Sequence, residues 1–190
     1  MSRDEAADVR TTELLIGCSP ELLRYFRRRV RPEEDAADLL AELSVVVWRK
    51  RAALPKGDEG ARMWLYGVAR NTLRNWVRGR RRQREQAARL RNEVSTNAAP
   101  PALDEVREAI ARLPANQAEL VRLVHWEGFT ILEAATILGL SESTARGRSQ
   151  RARTSLARDP EIAALRAGGT DGVRADDNAD GVSASSRQCS

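Results

Sequence analysis

A chain of 190 residues with a formal charge of +5 is long enough for one or two small domains. Arginine supplies nearly all of the positive charge, no apolar run approaches the roughly 20 residues of a membrane span, and the N-terminus lacks an apolar leader with a cleavage site. The sequence therefore predicts a cytoplasmic protein without membrane insertion. Its two cysteines, Cys18 and Cys189, have no neighbouring His or Cys at metal-ligand spacing and read as free thiols in a reducing compartment.

Met1 to Thr12 is polar without a clear period and reads as an irregular lead. From Glu13, the residues Leu14, Leu15, Leu22, Leu23, Phe26 and Val30 set up a helical period that Pro20 breaks and Pro32 ends. Glu33 to Arg51 reads as a second helix, with Leu39, Leu40, Leu43, Val46 and Val47 as its apolar stripe. Asp35, Asp38 and Glu42 recur at i, i+3 and i+7 on another face. Acids on one face make a poor DNA contact. They suit a basic partner surface or, for Glu33 to Asp35, the positive end of the helix dipole.

Leu54 to Ala61, LPKGDEGA, is a loop by its Pro and Gly content. In the helix predicted over Arg62 to Arg82, Met63, Leu65, Val68, Ala69, Leu73, Trp76 and Val77 keep the apolar period, while Arg70, Arg74, Arg78 and Arg80 to Arg82 accumulate charge. Trp64, Tyr66 and Trp76 share this helix. Aromatic rings beside a basic groove stack on unpaired bases; Trp76 reads as core and Trp64, beside the loop, as the stacking candidate. Residues 85–102 lose their large apolar side chains and end in STNAAPPA, the composition of a linker. Fully extended it spans roughly 60 Å, against about 34 Å for a duplex turn.

A second domain starts at Leu103. Val106, Ala109, Ile110 and Leu113 predict a short helix ended by Pro114; Leu120, Val121, Leu123, Val124 and Trp126 predict the next. Thr130 to Leu156, TILEAATILGLSESTARGRSQRARTSL, then carries the densest set of local signals. Thr130 with Glu133 forms a capping box, Gly139 supplies a turn, and Ser141 caps a second helix. Along that helix Ala145, Ser149, Ala152 and Leu156 form a small-to-apolar face. The opposite face holds Ser143, Gly147, Gln150, Arg151 and Thr154, flanked by Thr144, Arg146, Arg148 and Arg153. Arginine reaches phosphates and guanine edges, and Ser, Thr and Gln reach base edges, so this helix-turn-helix predicts a DNA-reading surface. Residues 159–190 become Ala, Gly, Asp and Ser and read as a disordered tail.

No strand pair, P-loop, GxGxxG or His/Cys cluster occurs. His125, the single histidine, sits between Val124 and Trp126 and reads as a half-buried structural residue. Glu33, Glu34 and Asp35 are consecutive and so spread around a helix, a poor metal site. The sequence thus predicts an all-α chain of two small helical domains, residues 13–84 and 103–158, with no catalytic residue, metal or cofactor. A free-standing duplex-binding regulator and an enzyme acting on nucleic acid stand as alternatives, the latter disfavoured by the lack of a catalytic cluster.

In order, PEEDAADLLAELSVVVWRK, ARMWLYGVARNTLRNWVRGRRR, a linker, and ARLPANQAELVRLVHWEGFTILEAATILGLSESTARGRSQRARTSL resemble the bacterial ECF sigma factors, over roughly Glu21 to Leu156. The resemblance implies sigma-2 and sigma-4 domains, and core RNA polymerase and promoter DNA as partners. It implies that Asp35, Asp38, Leu39 and Glu42 bind the clamp coiled coil of the largest polymerase subunit. Trp64, Arg70, Asn71, Arg74, Asn75 and Arg78 would read and open the minus-ten element, with the loop Pro55 to Ala61 holding a flipped base. Ser143, Thr144, Arg146, Arg148, Gln150, Arg151 and Arg153 would read the minus-thirty-five element. Members of this family are often held by an anti-sigma protein, although no residue here identifies one. Ala41, Asn75 and Ala145 depart from the family's usual Gln, Asp and β-branched residue.

Overall fold

The computed structural model describes residues 3–90 and 105–168, with side chains for 5–86 and 106–164. All of the described secondary structure is helical and falls into two compact units. The first contains α1 (Arg3–Arg27), α2 (Asp35–Arg49), a 3-10 turn (Arg51–Ala53) and α3 (Asp58–Leu90); the second contains α4 (Glu105–Arg112), α5 (Ala115–His125), α6 (Ile131–Leu138), α7 (Glu142–Ala157) and α8 (Pro160–Gly168).

In the first unit α2 turns Leu39, Leu43 and Val47 inward at i, i+4 and i+8, and all three are fully buried with Leu22, Phe26 and Leu65. Leu40 and Val46, expected in the same stripe, are only half-buried. Tyr25 meets the rings of Phe26 and Tyr66 edge to face, at 5.3 and 5.5 Å between centroids. Each such pair adds about 0.5–1.5 kcal/mol beyond the area it buries.

Four local expectations change here. The irregular lead is the first part of α1: Thr11 is buried and its hydroxyl donates to the Ala7 carbonyl at 2.7 Å. Arg51 Nε donates to Asp8 at 2.5 Å, and Arg10 lies 3.6 Å from Asp58. Pro20 does not break α1. An interior proline costs about 3 kcal/mol, but Cys18 and Leu22 on either side are fully buried, and their packing holds the helix through it. α3 begins at Asp58 and runs to Leu90, so residues 85–90 of the expected linker are helical; residues 91–102 lie outside the described residues. Val77, expected in the core, is 50% exposed.

The second unit is built from shorter helices around Ile110, Leu113, Ala118, Val121 and Ala152, with Trp126 and Leu156 packed against them. Tight turns join them. Gly128 and Gly139 adopt φ of 73° and 67°, a left-handed conformation that costs other residues about 1–2 kcal/mol. Val106 faces solvent, and His125 is exposed rather than half-buried, because it falls at the last residue of α5.

The expected tail begins with structure. Asp159 accepts from the Glu161 amide at 3.1 Å, which starts α8, and Arg112 of α4 donates to both Asp159 oxygens at 2.8 and 2.9 Å and to Glu161 at 2.7 Å. Hydrogen bonding from Arg112 holds the Asp159 carboxyl below its ordinary value, while the bonds to Glu161 and Asp159 raise that of Arg112. The rest of the expected tail, residues 169–190, lies outside the described residues.

Candidate nucleic-acid and partner interfaces

The helix-turn-helix forms as its local signals dictate. The Thr130 hydroxyl accepts from the Glu133 amide at 3.2 Å, and the Glu133 carboxylate accepts from the Thr130 amide at 2.6 Å. Gly139 closes α6, and the Ser141 hydroxyl accepts from the Thr144 amide at 3.3 Å to open α7. Caps of this kind contribute about 1 kcal/mol each.

α7 rests on its neighbours through very little side chain. Ala145 and Ala152 are fully buried, seven residues apart and so on one side of the helix; Ser149 and Leu156 are half-buried beside them. Nearly everything else faces outward. Ser143, Arg146, Gln150, Arg151 and Arg153 are exposed, and Thr144 and Arg148 are half-exposed. Arg146 is engaged by Glu142 one turn back. Arg151 lies along Gly147, its Nη2 3.8 Å from where a Cβ would stand. The surface offers guanidinium and hydroxyl donors on a helix narrow enough for a major groove about 12 Å wide.

In the first unit, Asn71, Arg74, Asn75 and Arg78 project from α3, with Arg70 and Trp64 half-buried above the core. Of the loop expected to hold a base, Pro55–Gly57 remains loop, while Asp58–Ala61 is the first turn of α3 and Ala61 is buried. Gly60 lets Pro55 rest on that turn, since its Cβ would stand 3.3 Å from that of Pro55. A polar cluster absent from the sequence expectations fastens α3 to α1. The Glu21 carboxylate accepts from Arg62 at 3.2 Å and from the Tyr66 hydroxyl at 3.4 Å, and Arg62 also lies 5.2 Å from the Tyr66 ring. These partners stand more than 40 residues apart in sequence, so no local pattern announces them.

The four residues expected on the partner-binding face of α2 do not stay together. Leu39 is fully buried, because its position repeats with Leu43 and Val47 in the core stripe. Asp35 turns toward α3, where it bonds Arg80, and is 17% exposed. Asp38 and Glu42 remain outside. They share their face with Ala41, Val45 and Trp48, and the latter two are 50% and 40% exposed. An exposed Val and Trp at i and i+3 was the overlooked signal, since a solvated face rarely carries both.

No group of three His, Cys, Asp or Glu positioned to hold a metal exists among the described residues, and no described helix is long and apolar enough to cross a membrane.

Comparison with known proteins converges on one family. Residues 16–83 match Sigma-70 region 2, and residues 103–156 match Sigma-70, region 4. The chain is 31% identical to the ECF RNA polymerase sigma factor EcfG of Rhodopseudomonas palustris over 140 residues, covering 70% of this chain and 76% of that one. It is 30% identical to the ECF RNA polymerase sigma factor SigM of Mycobacterium tuberculosis, covering 73% and 70%. Among solved structures it is similar to the sigma factor RpoE of Bartonella quintana in complex with the anti-sigma factor NepR, with a TM-score of 0.59, 26% identity, and coverage of 81% of this chain and 96% of that one.

Proposed function

Because the chain belongs to the ECF RNA polymerase sigma factors, we propose that its three exposed surfaces divide the work of promoter use among themselves. As a sigma factor it binds core RNA polymerase, directs it to promoter DNA and starts transcription. On our reading, Asp38 and Glu42, with Val45 and Trp48, dock the clamp coiled coil of the largest subunit. This face combines a negative rim with apolar side chains of the kind that anchor protein interfaces. Leu39 supports it from beneath, and Asp35 does not contact the partner.

The outer face of α7 reads the upstream, minus-thirty-five element as duplex, through Arg148, Arg151 and Arg153 with Ser143, Thr144 and Gln150. Arg146 joins them by exchanging Glu142 for a phosphate. The projecting residues of α3, Arg70, Asn71, Arg74, Asn75 and Arg78, take the minus-ten element, and Trp64 with the loop before α3 receives an unpaired base. Removing a base from the stack costs a few kcal/mol, and aromatic stacking returns about 1–3 kcal/mol per base. Binding energy alone then opens the duplex, and no covalent step or cofactor of this chain is required. The protein works in the cytoplasm, and an anti-sigma factor, as in the Bartonella complex, is a fitting antagonist.

The acidic-apolar stripe on α2 carries this reading against that of a free-standing duplex regulator, which has no use for such a face. The test is co-elution of the full chain with core polymerase. Asp38→Arg keeps the fold, since the side chain is exposed, and weakens the complex. A full-strength complex from this variant would remove the docking face. Palindromic footprints without polymerase would restore the regulator.

A further inference from the structure

Beside the turn that follows α1 lies a cleft of about 360 Å³ that belongs to none of these three surfaces. It is lined by Arg29 and Arg31 on one side and by Trp76, Arg80, Arg81 and Arg84 of α3 on the other. At 100° per residue, the positions of Trp76, Arg80 and Arg84 centre about 120° around α3 from Arg70, Arg74 and Arg78. Arg81, about 20° from Arg70 on the same count, falls at the base-reading positions, so the cleft starts at their edge and extends to the other side of the helix.

Its charge is only partly compensated. Arg31 has Glu33 at 3.4 Å, Arg81 has Glu85 at 2.7 Å, and Arg80 has Asp35. Arg29 turns inward, its Nη1 donating to the Tyr25 carbonyl at 3.0 Å and its guanidinium carbon 3.7 Å from the Tyr25 ring. Arg84 is exposed and has no carboxylate partner among the described residues. Arg80 is held twice over, by Asp35 and by the face of Trp76, 4.8 Å from its guanidinium carbon. Guanidinium groups converging on a concave surface favour phosphate, which accepts several donors at once. An aromatic floor and an open rim admit a chain of phosphates.

We propose that this cleft binds the phosphate backbone of a nucleic-acid strand, and that Asp35 sets its strength by occupying Arg80. Asp35, on the helix that carries the partner face, is thereby an internal competitor for the phosphate. Freed from it, Arg80 becomes a further donor at the cleft. The proposal rests on the DNA-reading role of α3, and it adds a site that is blind to sequence.

The test uses the full chain and fluorescence anisotropy with one promoter-like oligonucleotide and a scrambled one, each at several salt concentrations. Arg84→Ala and Arg31→Ala should weaken binding to both about equally and lower the slope of log K against log salt by about one each. Asp35→Asn, checked for folding by thermal melting, should tighten binding to both severalfold. Arg74→Ala provides the reference. If Arg74→Ala weakens binding while Arg84→Ala and Arg31→Ala change neither affinity nor slope, the cleft is overturned and the α3 assignment stands; if Arg74→Ala is also silent, that assignment falls. Looser or unchanged binding in a folded Asp35→Asn would overturn the competitor role. A melting temperature raised by ATP in the wild type but not in Arg84→Ala, with DNA affinity untouched, would assign the cleft to a free nucleotide instead of a strand.

Discussion

α3 and α7 are both arginine-rich helices for which DNA contacts are proposed above, yet they are held by opposite means. α3 sinks bulky side chains, Leu65, Tyr66 and Val68, into its unit and fastens its first turns with Glu21 and Arg62. Its arginines come mostly after the anchored part. α7 is anchored along its length by two alanines, with a capping hydroxyl at its start, and displays arginine from end to end. A helix meant to enter a groove needs its whole outer face clear, so it is seated with the smallest side chains. A helix meant to grip the core while extending along a surface can separate the two tasks along its axis.

The contrast breaks most sharply at the anchors. Leu65→Ala should cost about 2–5 kcal/mol, because a fully buried leucine leaves a cavity; calorimetry on the full chain should show a lowered melting transition. At the α7 seat the sensitive direction reverses. Ala152→Leu adds volume where none is available and should cost about 1–3 kcal/mol, and it should weaken duplex binding by shifting α7, whereas Leu65→Ala should leave the α7 contacts alone. Equal effects of both variants on duplex affinity would erase the distinction. Smaller still is Ser141→Ala, which removes the α7 cap at a cost of about 1 kcal/mol, measured by denaturant midpoint.

The smallest effect concerns the clasp behind α7. Arg112 depresses the carboxyl of Asp159, so the contribution of that group is complete above the ordinary carboxylate range and disappears as pH falls through the depressed value. The protection of α8 amides, taken relative to the intrinsic exchange rate at each pH, should therefore fall on acidification, more steeply in the wild type than in Asp159→Asn, whose α8 starts out less protected. Parallel profiles in the two proteins would mean that the clasp does not hold α8. For α7 itself, Arg148→Ala and Arg151→Ala should each lower the salt slope of duplex binding by about one, a change that filter binding or anisotropy resolves.

The helix-turn-helix was legible because each of its signals acts within four residues: Thr130 with Glu133, Gly139 alone, Ser141 with Thr144. What escaped were interactions between distant residues. Asp35 looks like one of three equivalent acids until Arg80, 45 residues on, claims it. Arg112 and Asp159, 47 apart, convert part of an expected tail into α8. Pro20 reads as a break because a window of sequence contains the proline's cost and omits the burial of Cys18 and Leu22 that exceeds it. Leu39 falls on the partner face only by resemblance, whereas its own period with Leu43 and Val47 points inward.

α3 keeps the backbone bonds of a helix to Leu90, but from Val77 through Gln86 every described side chain except that of Arg80 is exposed. Hydrogen-exchange protection should therefore fall stepwise along a single helix, from global unfolding near Leu65 to local fraying beyond Arg81. A strand laid along that end would find a scaffold not yet rigid, and binding would stiffen it. Part of the free energy of association would then be spent on ordering, with an entropy penalty and a slowed exchange confined to the last turns.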